Sequence, residues 1–173
     1  MQIMQKVIFI FISYCLFSLP ALAISDLQDS SATQFNEHIG KGKWTVLEIW
    51  SYDCPACRKT MHHLADFNAI AEDYNAQVIG VSLDGDQKRT QAQAFVKNQA
   101  LEFKNLLANV QEVEQFIHRY APQAPLGTPT VMLFSPEAEF AGIIVGPVSA
   151  DELITYFEKQ QAAEKVTSST EIL

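Results

Sequence analysis

Cysteine is scarce in this chain. Its 173 residues hold three, Cys15, Cys54 and Cys57. A secreted fold held together by disulfides places its bridges across long loops, where closure restrains the unfolded chain most. Cys54 and Cys57 stand three positions apart and close almost no loop, while Cys15 falls in an N-terminal apolar run. A stapled scaffold is therefore excluded, and the Cys-x-x-Cys pair is present for its chemistry. Basic residues are also few, 12 Lys and Arg against 20 Asp and Glu, and they form no cluster. A surface of that sign repels a phosphate backbone, which excludes nucleic acid as a partner. The apolar run from Val7 to Leu19 is well short of the roughly 20 residues a spanning helix needs. Internal repeats and low-complexity blocks are absent, so a single domain is expected.

What the N-terminus does contain is an export pattern. Lys6 precedes the apolar run, and Pro20 is followed by Ala21-Leu22-Ala23, an Ala-x-Ala cleavage site. Residues 1–23 read as a cleavable signal peptide, which places the mature protein in the periplasm. Tyr14 stands where a lipid-attachment signal at Cys15 would want a small residue. Cleavage leaves 150 residues, enough for one full core, read as a domain over 24–163 and a flexible tail over 164–173. Cys15 leaves with the signal, so both remaining cysteines lie in one motif.

Hydrophobic periodicity orders the rest. Residues 24–42 read as a polar lead-in with a short helix near Thr33 to Ile39. The β-branched and aromatic run Trp44 to Trp50 predicts a buried strand. Pro55 suits a first helical position, and Met61, Leu64, Phe67, Ile70, Ala71 and Tyr74 repeat at helical spacing to about Tyr74. Gln77 to Leu83 is a strand, closed by the turn Asp84-Gly85-Asp86. A helix around Phe95 and a short apolar stretch at Phe103 to Leu107 follow. Val110 to Tyr120 is helical, and a loop with three prolines leads to strands at Thr130 to Phe134 and Phe140 to Val145. Ser149 to Glu152 forms a capping box for a last helix to about Gln161. Strand–helix–strand units with a closing strand pair predict an α/β fold with helices on both faces of a sheet.

The chemistry lies at Cys54-Pro55-Ala56-Cys57. A cysteine at a helix start faces unpaired backbone N–H groups at the positive end of the helix dipole, which favours its thiolate. Cys57, one turn on, is placed to attack a mixed disulfide formed by Cys54. Arg58 and Lys59 add positive charge nearby and Asp53 opposes them. The competing reading, half a zinc site, needs two further ligands. His62 and His63 would have to converge with the cysteines from one helix start, and His38 and His118 lie far off in sequence. No metal and no cofactor is expected.

Glu48 to Cys57, together with Gly127-Thr128-Pro129-Thr130 downstream, resembles the thioredoxin superfamily and within it the exported TlpA/ResA-like thiol–disulfide oxidoreductases. The resemblance spans nearly the whole mature chain and implies a thioredoxin-like fold, a central mixed sheet flanked by helices, with an inserted helix–strand segment at about residues 87–108. It implies that Cys54 attacks and Cys57 resolves, as one redox-active disulfide. Pro129 matches the cis-proline facing that disulfide, and Thr128 offers backbone to a bound peptide. Glu48 matches the buried carboxylate that moves protons to and from the inner cysteine. Its neighbours Val46, Leu47, Ile49 and Trp50 agree, since a charge in a buried strand is costly unless it has a task. The chain departs from the family at Asp53, where Trp is usual, and at Thr60 and Ser135. The expected activity is disulfide reduction in exported cysteine-containing proteins by a monomer that a membrane electron donor re-reduces. An oxidase or isomerase, or a copper(I) chaperone using the same cysteines, is the alternative.

Overall fold

The structure, a computed structural model, describes residues 24–170. The signal peptide read over residues 1–23, Cys15 included, lies outside the described residues. Among those residues no helix is long and apolar enough to cross a membrane.

Seven strands and four α-helices follow one another as β1 (Ile24–Asp26), β2 (Ala32–Thr33), β3 (Trp44–Trp50), α1 (Pro55–Asn68), β4 (Ala76–Ser82), α2 (Arg89–Asn98), β5 (Lys104–Leu107), α3 (Val110–Tyr120), β6 (Thr130–Phe134), β7 (Phe140–Val145) and α4 (Ala150–Thr170). They form one mixed sheet in the order β2-β1-β5-β4-β3-β6-β7. β3, β4 and β5 run parallel, and the remaining neighbours pair antiparallel. This is the mixed sheet with helices on both faces that the sequence predicts.

Alternation along the central strands builds two cores. Val46 and Trp50 of β3 and Val131 and Leu133 of β6 join Met61, Leu64 and Phe67 of α1, Phe95 of α2 and Leu153 and Phe157 of α4 in one cluster. Leu47, Ile49, Met132 and Phe134 point the other way, onto Val113, Phe116 and Ile117 of α3. Burial on both faces is why β3 and β6 read as largely apolar runs, broken by Thr45, Glu48 and Thr130, rather than as alternating strands. Helix α3 opens on a capping box in which Asn109 and Glu112 exchange side-chain-to-backbone bonds. The capping box read at Ser149 and Glu152 is present at α4: the Glu152 N–H donates to Ser149 Oγ at 3.2 Å and the Ser149 N–H to Glu152 Oε2 at 2.8 Å.

Several expectations need correction. The lead-in is not simply polar coil: β1 and β2 form a hairpin that extends the sheet beyond β5, and a single 3₁₀ turn at Phe35–Glu37 stands where the short helix was expected. Strands of two and three residues are too short for alternation to register. They are held from outside, by Arg89 donating to the Asp26 and Leu27 carbonyls at 2.8 and 3.1 Å and by the Lys104–Asp26 ion pair at 2.7 Å. Helix α1 ends at Asn68, after which a 3₁₀ turn over Ala71–Tyr74 closes on Asn75 in the left-handed region. Ile70, Ala71 and Tyr74 still face the same core, which is why helical spacing reads straight through the break. Helix α4 continues past Gln161 to Thr170, through most of the segment read as a tail.

Candidate active site

Three residues separate β3 from the N-cap of α1. Ser51, Tyr52 and Asp53 carry the chain from the sheet to Cys54, the N-cap of α1, with Pro55 at the first helical position. Proline has no N–H to leave unpaired there, and its fixed φ suits the helix start. Cys54 Sγ accepts the Cys57 N–H at 3.0 Å, so the sulfur lies among the orphan donors of the first turn. The two cysteines form a disulfide with their Cα atoms 5.3 Å apart. They differ in access: Cys57 is 0% exposed and Cys54 7%.

Sheet register brings the proline loop to the same place. Ile49 near the end of β3 pairs with Thr130 at the start of β6, so residues just before β6 must sit beside residues just after β3. The Thr128 carbonyl lies 3.5 Å from Cys54 Sγ, and the Thr128–Pro129 peptide is cis. Thr130 Oγ1 donates to the Gly127 carbonyl at 2.9 Å and the Gly146 N–H to the Pro129 carbonyl at 2.9 Å, which ties the loop to β6 and to the end of β7.

Glu48 lies on β3 between Val46 and Trp50, so its side chain shares the face that carries Cys54, Cys57 and helix α1. It is 1% exposed, and among the described residues its Oε2 has no hydrogen-bond partner. Desolvation pushes its pKa up to about 8, because burial penalises the charged form. Cys54, Cys57, Thr128 and Pro129 thus converge at one end of the sheet, with Glu48 on the same face one strand step deeper.

Charge around the loop is mixed. Arg58 donates to the Tyr52 carbonyl at 3.0 Å, and the Lys88 ammonium lies 5.4 Å from the centre of the Tyr52 ring. The Ser51 hydroxyl bonds the Asp53 carboxylate and holds its pKa below the usual value. The rings of His62 and His63 are 4.0 Å apart on α1, and among the described residues no group of three or more His, Cys, Asp or Glu could hold a metal.

Two features escaped sequence reading. The Trp50 indole donates to Asn105 Oδ1 at 3.2 Å, across the bare backbone of Gly80. Asp84, read only as a turn residue, reaches back to the loop that carries Cys54, accepting from the Tyr52 N–H at 2.9 Å and from the Ser51 hydroxyl at 3.1 Å. An aspartate after a strand signals a turn; nothing in its spacing says what the free carboxylate will meet.

The pattern that defines the AhpC/TSA family matches residues 17–141 of this chain. The sporulation thiol–disulfide oxidoreductase A of Bacillus subtilis (strain 168) is 24% identical over 120 residues, covering 69% of each protein. Among solved structures, a thiol:disulfide interchange protein from Bacteroides sp. superposes with a TM-score of 0.64 at 21% identity, over 81% of this chain and 85% of its own. A secreted disulfide oxidoreductase of Mycobacterium tuberculosis gives 0.59 at 19% identity, over 79% and 94%. At these identities the structural likeness establishes a thioredoxin-like fold.

Proposed function

The chain belongs to the AhpC/TSA family and carries the Cys54–Cys57 pair of a thiol–disulfide oxidoreductase, and on that premise we propose that it is an exported protein-disulfide reductase. The observation that carries the reading is the unequal access of two bonded sulfurs at a helix start, Cys54 7% exposed beside the Thr128 carbonyl and Cys57 fully sealed behind it.

In the reduced protein the Cys54 thiolate attacks one sulfur of a substrate disulfide. A mixed disulfide forms and one substrate thiolate departs with the proton it acquires. Cys57 then attacks Cys54 Sγ, releases the second substrate thiol and closes the Cys54–Cys57 bond. Two electrons pass to the substrate and the pair ends oxidised. Thr128 and Pro129 present backbone to the peptide around the substrate sulfur. Glu48, held neutral below about pH 8, exchanges a proton with Cys57 as the inner sulfur changes state. Cysteine-containing exported proteins are the substrates, and a membrane dithiol protein restores the reduced form.

The direction is tested by equilibrating the pair against glutathione or a reference dithiol. A reduction potential near −270 mV, the thioredoxin value, is expected, and one near −120 mV would assign an oxidant instead.

A further inference from the structure

Asp84 stands two residues past the C-terminal end of β4. Its Oδ2 accepts from the Ser82 hydroxyl at 2.7 Å, and its own N–H donates back to Ser82 Oγ at 3.3 Å, so the carboxylate is fixed from below. From above it holds the Tyr52 N–H and faces the Ser51 hydroxyl. Ser51 is buried, and its carbonyl accepts the Cys54 N–H at 3.2 Å. Every residue between β3 and Cys54 is thus bound to Asp84, directly or through one neighbour. The Ser51 hydroxyl has a single proton and meets two carboxylates, Asp53 and Asp84; it donates to one at a time.

From this geometry, and resting on the reading of Cys54 as the attacking sulfur, we propose that Asp84 is the positioning residue of the active-site loop. It fixes where Cys54 enters helix α1, and with Asp53 it sets two negative charges on the segment that carries the reactive sulfur. The fixed position keeps Cys54 under the Thr128 carbonyl. The charges oppose the helix dipole and disfavour the Cys54 thiolate, which holds the pair toward the reducing side, since a strong oxidant is one whose reduced thiolate form is stabilised. The other titratable groups around the loop are the cations Arg58 and Lys59 on α1 and Lys88 over the Tyr52 ring, and Glu48 beneath on β3, neutral below about pH 8. Asp86, two residues on, is turned away to Arg89 at 2.6 Å, which makes it the control.

The experiment compares wild type with Asp84→Asn, Asp84→Ala, Ser51→Ala and Asp86→Asn, all reduced, in three measurements. These are the rate of Cys54 alkylation by iodoacetamide against pH, the equilibrium constant of the pair against glutathione, and amide hydrogen exchange at Tyr52. Removing a nearby negative charge should move the alkylation midpoint of Asp84→Asn to lower pH by about half a unit or more. The glutathione equilibrium should shift several-fold, on the order of three- to tenfold, toward the reduced pair. Tyr52 exchange should quicken in both Asp84 variants, and Asp86→Asn should match wild type throughout. If Asp84→Ala does not fold, Asp84→Asn and Ser51→Ala carry the test, since Ser51→Ala removes the shared hydroxyl and leaves Asp84 intact. An alkylation profile of Asp84→Asn that superimposes on wild type would overturn the proposal, as would an equal shift in Asp86→Asn. A wild type whose Cys54 is not the fast-reacting thiol would overturn the assigned chemistry itself, and the two failures are distinguishable because the second shows before any variant is made.

Discussion

Glu48 is held neutral by burial alone, with desolvation as the cause of its rise to about 8. The effect on stability has a definite sign. The unfolded chain ionises this group near 4.5, the folded chain only near 8, so the folded state binds the extra proton between those values. Stability is then full below about pH 4.5, falls as pH rises toward 8, and levels off above it. Glu48→Gln removes the titration, so its unfolding midpoint in urea should lack that decline and exceed wild type most at pH 8 and above. Disulfide turnover by the same variant should be slower, at or below the low end of the 10²–10⁴-fold typical of acid–base help. Parallel stability curves for the two proteins from pH 5 to 9 would show an ordinary strand residue. At this scale the sequence was legible where a residue type contradicted its surroundings: an acid in an apolar run, or two cysteines with nothing to staple. It was illegible where the residue suited its local role, as Asp84 suits a turn while its carboxylate acts on a loop 32 positions away.

Strand β4 shows how one missing side chain organises its neighbours. A Cβ on Gly80 would stand 2.0 Å from Asn105 Oδ1 and 2.9 Å from the Trp50 indole nitrogen, so the Trp50–Asn105 bond occupies the volume that any other residue would fill. Asn105 also donates to the Phe103 carbonyl at 2.9 Å, and Trp50 stacks on Phe95 of α2 with centroids 4.8 Å apart. The inserted α2–β5 segment is fastened to β3 through this point. Gly80→Ala should therefore cost about 1–3 kcal/mol, the usual penalty for overpacking. At Gly142, on β7, a Cβ meets nothing within 4 Å, and Ala there should be neutral or slightly stabilising, since Gly in a strand interior is weak and orders at greater entropic cost. Urea unfolding of both variants checks the contrast, and equal costs would refute the packing account. Elements with a long apolar signature, from β3 to α3 to β6, were legible from periodicity. The β1–β2 hairpin was not, because five strand residues held by Arg89 and Lys104 carry no period of their own.

At the scale of the whole molecule, two remote parts of the chain meet at the disulfide. The β3–α1 loop supplies the sulfurs and the β6 approach, 74 residues on, supplies the carbonyl over Cys54. The order of exposure predicts an order of events. Cys57→Ala should accumulate mixed disulfides with exported proteins because nothing resolves them, whereas Cys54→Ala should accumulate none. Equal yields from the two variants, read on non-reducing gels, would refute the division of roles. The two tryptophans of the chain mark the opposite ends of β3, about 20 Å apart at the usual rise per residue. Trp44 packs edge-on against Tyr156 and Phe157, while Trp50 is fully buried in the cluster that holds both cysteines. A disulfide accepts an electron from a nearby excited indole and a dithiol does not. Trp50 shares its cluster with both sulfurs, so its emission should rise relative to that of Trp44 when the pair is reduced, which a fluorescence titration with a dithiol checks; unchanged emission would refute the coupling.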